Sequence, residues 1–358
     1  MSTKRTMNVL AALVLLGLSV CNAMVPAVNL FLSSANLMNM YLGVGYPIQI
    51  FSAAVDLSMT ESWVMNCEAL MCQNETYDPY SSVSFAPQNE LFRLDQPIHL
   101  AANGSFEGAW VQDRLDFGNL LLLGMDYLML NKAPVIRPLP FIASFGLGRV
   151  ARSEMPHMNF ITLLQNANVI KSGQFAISRS PVNTTVGRIV FGDVTPGMYV
   201  GSLDYFPIYE PQRGFWSLFL NSTSVGNTTT PLQTCAILDT TFPYISAPVD
   251  VFQLLCNQLG FTDIRSYTTP GTYYAVADCA LIATLPDLVL TFDTTDYTFP
   301  PSRYLRPGMG GVCYFMVLGV DLASPKGPAW LLGDFFMQGR MINFDLDNER
   351  IGIAISTL

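Results

Sequence analysis

Short apolar stretches rich in Val, Ile, Leu, Phe and Tyr recur along nearly the whole chain, and Gly, Pro, Asn or Ser interrupts them at short intervals, a pattern that predicts a mostly β protein. Gly187-Arg188-Ile189-Val190-Phe191-Gly192 is typical, an apolar core between two glycines. Helical patterning is sparse. Asn159–Asn166 is one candidate, and Pro248–Leu259 is another, with Pro248 suited to a first turn and Gly260 closing the segment. The apolar run from Val9 to Val20 is of a different kind, since Lys4-Arg5 precedes it and Cys21-Asn22-Ala23 follows. That is the layout of a signal peptide spanning residues 1–23. The run is shorter than the roughly 20 residues a membrane span needs, so no span is expected once the chain is cleaved after Ala23.

At 358 residues, 50% hydrophobic and 13% charged, the chain can bury a large core and is long enough for two domains. A net charge of -9 with no basic stripe argues against nucleic acid as a partner. Of seven cysteines, Cys21 leaves with the signal peptide, and the even number that remains predicts disulfides formed in an oxidising compartment. Asn-x-Ser/Thr triplets at Asn74, Asn103, Asn183, Asn221 and Asn227 are candidate glycosylation sites on the same route. The expected location is outside the cell or in the lumen of the secretory or lysosomal pathway. No metal or other cofactor is expected.

A weak internal repeat bears on chemistry. An apolar pair leads into aspartate at Ala54-Val55-Asp56 and again at Ile237-Leu238-Asp239, and an apolar-Gly step follows in each half, at Phe145-Gly146 and Leu332-Gly333. The aspartates stand 183 positions apart, about half the chain, as a duplicated lobe contributing one carboxylate per half would give. Two carboxylates held close together cannot both ionise easily, so they share a proton, and such a pair can activate a water while protonating a peptide carbonyl. Asp56 and Asp239 are the candidates for that pair. The competing reading is that they are turn aspartates in a retired site.

With its flanks, the repeat resembles the two active-site loops of the pepsin-like aspartic proteases, in which each lobe offers an Asp-Thr-Gly turn. The likeness spans nearly the whole chain after the signal peptide. Tyr41-Leu42-Gly43-Val44-Gly45-Tyr46-Pro47-Ile48-Gln49-Ile50-Phe51 is similar to the family's first hairpin, and Trp63-Val64 stands seven residues beyond Asp56, the family's spacing. Ile189-Val190-Phe191-Gly192, Trp216, Leu285-Pro286 and Pro301-Ser302-Arg303-Tyr304 follow in the family's order. Most specific is the end, where Trp330-Leu331-Leu332-Gly333-Asp334 precedes Asn343-Phe344-Asp345 and Ile351-Gly352-Ile353-Ala354.

The resemblance implies a bilobal acid-protease fold of two pseudo-symmetric β lobes. Residues 24–195 would form the N-terminal lobe, with Asp56 and the flap, and residues 196–358 the C-terminal lobe, with Asp239. A peptide or unfolded protein would lie in the cleft between them, and a monomer is expected. Asp293-Thr294-Thr295 also looks like an active-site triplet, but it falls where the family has a surface hairpin and is read as a turn. The family's disulfides imply Cys67–Cys72 and Cys279–Cys313. That leaves Cys235 and Cys256 to pair by elimination.

Both triplets depart from the family pattern. The first loop reads Asp56-Leu57-Ser58-Met59, so Leu57 replaces a threonine whose hydroxyl crosses the lobe interface, Ser58 a glycine, and Met59 a serine that bonds its aspartate. The second reads Asp239-Thr240-Thr241-Phe242, keeping the threonine at Thr240 but replacing glycine by Thr241 and a hydroxyl by Phe242. Loss of glycine removes easy access to positive φ. Asn103-Gly104-Ser105-Phe106-Glu107-Gly108 resembles the flap tip, which puts Ala101 or Leu100 where the family has a tyrosine, and a glycan on Asn103 would sit at the cleft mouth. Only a short segment separates Ala23 from the Tyr41 hairpin, where secreted members have a basic prosegment whose lysine pairs with the carboxylates. These departures point to an aspartic endopeptidase with weak or lost activity. The alternative is a catalytically inactive protein of the same fold that binds a peptide, glycan or protein partner.

Overall fold

In the computed structural model of the chain, the residues described are 26–33, 36–66, 76–94, 106–118, 120–132, 142–149, 160–183, 185–267 and 270–358. Strands dominate, and they form two curled sheets of thirteen and eleven strands that make two barrel-like halves. In the first half, Met38–Val44 and Gln49–Asp56 form an antiparallel hairpin. Gln49–Asp56 also runs parallel to Ala143–Gly146, with Asp56 opposite Gly146, and Ala143–Gly146 lies antiparallel to Trp63–Met65. The second half repeats the arrangement: Thr228–Leu238 runs parallel to Trp330–Leu332, which lies antiparallel to Ile245–Ala247. Strands buried on both faces call for unbroken apolar runs, and Ala53-Ala54-Val55 and Ala236-Ile237-Leu238 supply them.

The repeated glycine has a steric cause. A Cβ on Gly146 would lie 2.5 Å from the Glu61 carbonyl oxygen, and one on Gly333 would lie 2.1 Å from that of Phe242. In both halves the loop after the aspartate passes so close to this strand end that only glycine fits.

The halves are not separate bodies of sheet. Tyr199–Pro207, Arg340–Asp345 and Arg350–Ser356 come from the second half of the chain but enter the thirteen-stranded sheet, where Arg340–Asp345 pairs with Gln174–Arg179. The expected boundary after residue 195 falls between Val186–Phe191 and Tyr199–Pro207, two strands of that one sheet. Beside the junction, Arg179 donates from Nε and Nη2 to the two carboxylate oxygens of Asp334 at 2.7 and 3.2 Å, with side chains 0% and 3% exposed. The main core runs through both halves, from Val55 and Phe145 to Leu238 and Leu332.

The two expected helices lie close to their predicted positions, and two further short ones span Pro301–Tyr304 and Asp334–Met337. The first expected helix spans Phe160–Asn166, and the second spans Val249–Leu259, with Pro248 as its N-cap rather than in its first turn. Gly260 ends the Val249–Leu259 helix at φ 73, the left-handed conformation in which its N–H returns to the carbonyls of Cys256 and Asn257. Asp293 turns the hairpin between Leu288–Phe292 and Thr295–Phe299 with φ 53, so Asp293-Thr294-Thr295 is a turn.

Cys279 and Cys313 form a disulfide with their Cα atoms 5.1 Å apart. Cys67 and Cys72 lie outside the described residues. The expected Cys235–Cys256 pair is not formed, and both cysteines are buried free thiols. Strand alternation explains the difference. Ala236 and Leu238 face the main core, so Cys235 and Ile237 face the opposite side of the sheet, among Phe215 and Leu331. Cys256 sits on the inner side of the Val249–Leu259 helix, in the main core. The sheet separates the two sulfurs.

Candidate active site

Asp56 is the last residue of its strand and Asp239 directly follows the end of the equivalent one, and both are almost fully buried, at 0% exposure for Asp56 and 1% for Asp239. One side chain ties their loops together. Thr240 Oγ1 donates to the Val55 carbonyl at 2.6 Å and accepts the Leu57 N–H at 3.2 Å. Leu57 has no hydroxyl with which to return the contact, and its side chain packs in the main core. The crossing is therefore made by a hydroxyl from the second half alone.

The carboxylates are supported in a way the sequence reading did not foresee. Asp56 Oδ1 accepts the Ser58 N–H at 2.7 Å, the Ser58 hydroxyl at 2.6 Å and the Met59 N–H at 3.2 Å. Asp239 Oδ1 accepts the Thr241 N–H at 3.0 Å and the Thr241 hydroxyl at 2.6 Å. The hydroxyl expected at the third residue after each aspartate stands at the second residue, where the family has glycine. Neither Ser58 nor Thr241 takes a positive φ, so replacing glycine there imposes no backbone strain.

The third position is instead an apolar anchor. Met59 packs with Trp63, Phe106 and Trp110, and Phe242 packs with Phe215, Ile237 and Leu331. Both loops have changed in the same way, from a hydroxyl at the third residue to a hydroxyl at the second and a large apolar group at the third. That concerted pattern, Asp-x-Ser-Met beside Asp-x-Thr-Phe, is visible in the sequence.

A second unforeseen residue is Lys326, whose Nζ lies 2.7 Å from Asp239 Oδ2 with only 13% of its side chain exposed. The signal available was slight, one of four lysines in the chain, set between Pro325 and Pro328. Ser144 Oγ lies 3.5 Å from Asp56 Oδ2, at the limit of a hydrogen bond. Arg149 spans the halves beside the site. It donates to Glu349 Oε1 at 2.8 Å and to the Pro211 carbonyl at 3.3 Å, over the ring of Trp216, whose Nε1 donates to the Leu147 carbonyl at 2.9 Å. Burial lowers the Arg149 pKa, and Glu349 partly restores it.

The flap residues Ala101, Asn103 and Gly104 lie outside the described residues, as does Asn74. Their flanking strands, Ala86–Leu94 and Phe106–Phe117, pair antiparallel. Among the other candidate glycosylation sites, Asn183 and Asn227 are exposed. Asn221 lies within a sheet strand, at a bulge, with its Oδ1 buried. Among the described residues, no group of three His, Cys, Asp or Glu side chains is placed to hold a metal, and no helix is long and apolar enough to cross a membrane.

Two equivalent strand ends, each delivering a buried carboxylate to one hydrogen-bonded junction between β halves, define an aspartic-protease architecture. The family model for eukaryotic aspartyl proteases matches residues 39–356, and the chain belongs to that family. It is 24% identical over 320 residues to pepsin A of Bos taurus, covering 87% of this chain and 82% of that protein. It is 27% identical over 331 residues to renin of Rattus norvegicus, covering 88% and 78%. With cathepsin E of Aquarana catesbeiana it shares 25% identity over 325 residues, covering 87% and 78%.

Proposed function

We propose that the protein is a secreted aspartic endopeptidase of low turnover, which cleaves extended peptides held between the lobes with Asp56 and Asp239 as its acid–base pair. The observation that carries this reading is the pair of relocated hydroxyls. Ser58 and Thr241 each donate to their own aspartate at 2.6 Å, so the substitutions that suggest a retired site keep a hydroxyl on each carboxylate. Those donors hold the carboxylates in place as charge redistributes during attack of water on the peptide carbonyl. Low turnover follows from the one-sided crossing at Thr240, which leaves one loop less firmly held.

The test is digestion of an unfolded protein by the purified chain at acidic pH. Slow cleavage that is blocked by a pepstatin-type inhibitor and abolished by Asp56→Ala and by Asp239→Ala is the expected result. No cleavage together with no binding of the inhibitor would leave the second reading, a non-catalytic protein that binds a peptide, glycan or protein partner. Leu57 is the residue that favours this second reading, because it removes half of the interlobe hydroxyl exchange.

A further inference from the structure

Lys326 is the feature that the peptidase reading leaves unexplained. Its ammonium is a strongly hydrated ion that is costly to bury without a partner, yet it sits 2.7 Å from Asp239 Oδ2 with side-chain exposures of 13% and 2%. The segment bearing it is held in place. Arg213 Nη2 donates to the carbonyls of Pro325, Lys326 and Gly327 at 3.0, 2.5 and 3.4 Å, and Arg213 Nη1 pairs with Glu210 Oε2 at 2.7 Å. Gly327 N–H returns to the Ala323 carbonyl at 2.9 Å. A Cβ on Gly327 would lie 1.6 Å from the Leu322 carbonyl oxygen, so the turn is closed as tightly as glycine allows. One guanidinium grips three successive carbonyls, and the middle one belongs to the lysine.

The consequence falls on Asp239. Its Oδ1 already receives the N–H and hydroxyl of Thr241, and its Oδ2 receives the ammonium. A carboxylate that is to exchange a proton and hold a water needs lone pairs within reach of the substrate. The lysine competes for them.

We propose that Lys326 is an internal inhibitory cation: residues 322–328 form a strap that seats the ammonium on Asp239 in the resting protein, and a peptide must displace it to reach the carboxylate pair. This inference rests on the endopeptidase reading and gives it a regulatory element within the folded domain itself.

Lys326→Met and Lys326→Gln test it, with thermal unfolding as the check that each variant is folded. Kcat/KM on a fluorogenic peptide and the affinity of a pepstatin-type inhibitor are measured side by side. Removal of the charge-assisted contact is expected to raise both by about ten- to a hundredfold. If the unmodified protein cleaves and neither quantity changes in the folded variants, the inhibitory role is overturned and the peptidase reading stands. If inhibitor affinity rises but no variant cleaves, Lys326 is the occupant of the site and the peptidase reading fails. Absence of both cleavage and inhibitor binding in every variant overturns both. A measurement on the unmodified chain is independent of any variant's folding: Lys326 should be reductively methylated much more slowly than the exposed Lys171. Equal rates would show that the contact does not form in solution and would overturn the proposal.

Discussion

A hydroxyl at the second residue after an aspartate reaches the same carboxylate oxygen as the loop's own N–H, because the turn folds both back toward Oδ1. Ser58 and Thr241 each use that geometry, at 2.7 and 2.6 Å in the first loop and at 3.0 and 2.6 Å in the second. Hydrogen bonds to a charged acceptor are worth about 1.5 to 3 kcal/mol. Ser58→Ala and Thr241→Ala should therefore each lower kcat by roughly ten- to a hundredfold while leaving KM nearly unchanged, as steady-state kinetics on one peptide would measure. A change confined to KM would assign these hydroxyls to substrate binding instead. The family's glycine at Ser58 and Thr241 would delete both donors, and its hydroxyl residues at Met59 and Phe242 would take large apolar groups out of their clusters. Leu57→Thr alone supplies what is missing, a hydroxyl opposite Thr240. It should raise kcat by up to about tenfold and should also raise the melting temperature. A fall in stability with no gain in rate would mean that the lost packing of Leu57 in the main core outweighs the new bond.

At the scale of strands and helices, much was legible because local sequence decides it. Apolar runs ending in Asp and Gly marked the two parallel strand pairs, and Gly260 marked a helix end that requires φ 73. The fate of Cys235 and Cys256 was not legible, since it depends on which sheet face each sulfur takes after the helix has packed. Counting cysteines cannot show that. Lys326 was missed for a related reason, because only the folded strap brings it to Asp239, which stands 87 positions earlier in the chain. The free thiols give a prediction of their own. Burial pushes the Cys235 thiol up to about 11 and the Cys256 thiol up to about 12, from an ordinary value of 9.0. At pH 8 both should resist iodoacetamide in the folded protein and react fully in denaturant, as mass spectrometry of tryptic peptides would read. A peptide linking Cys235 to Cys256 would contradict the structure. Because unfolded thiols ionise first on raising the pH, their burial also makes the folded state lose stability as pH climbs past 9.0.

Across the whole molecule, the two halves resemble each other in their carboxylate loops but share one sheet, to which both ends of the chain contribute strands. Gln174–Arg179 lies between Val186–Phe191 and Arg340–Asp345, so one of its two sheet neighbours comes from the far end of the chain. Arg179 is fully buried against Asp334, and an arginine left buried without its carboxylate costs about 3 to 5 kcal/mol, a large share of the roughly 5 to 15 kcal/mol that holds a typical native protein together. Residues 24–195 expressed alone would lose Asp334, the ladder to Arg340–Asp345 and the Thr240 crossing together. They should yield no monodisperse, cooperatively melting species, whereas co-expression with residues 196–358 should recover one. Asp334→Asn in the intact chain isolates the ionic part: it keeps the shape, and it should lower stability by a few kcal/mol in urea titration without changing the slope of the transition. Calorimetry of the intact protein should show one transition whose calorimetric and van't Hoff enthalpies agree. Two resolved transitions, or an isolated first half that melts cooperatively, would mean that the shared sheet and its buried ion pair join two lobes that are already stable apart.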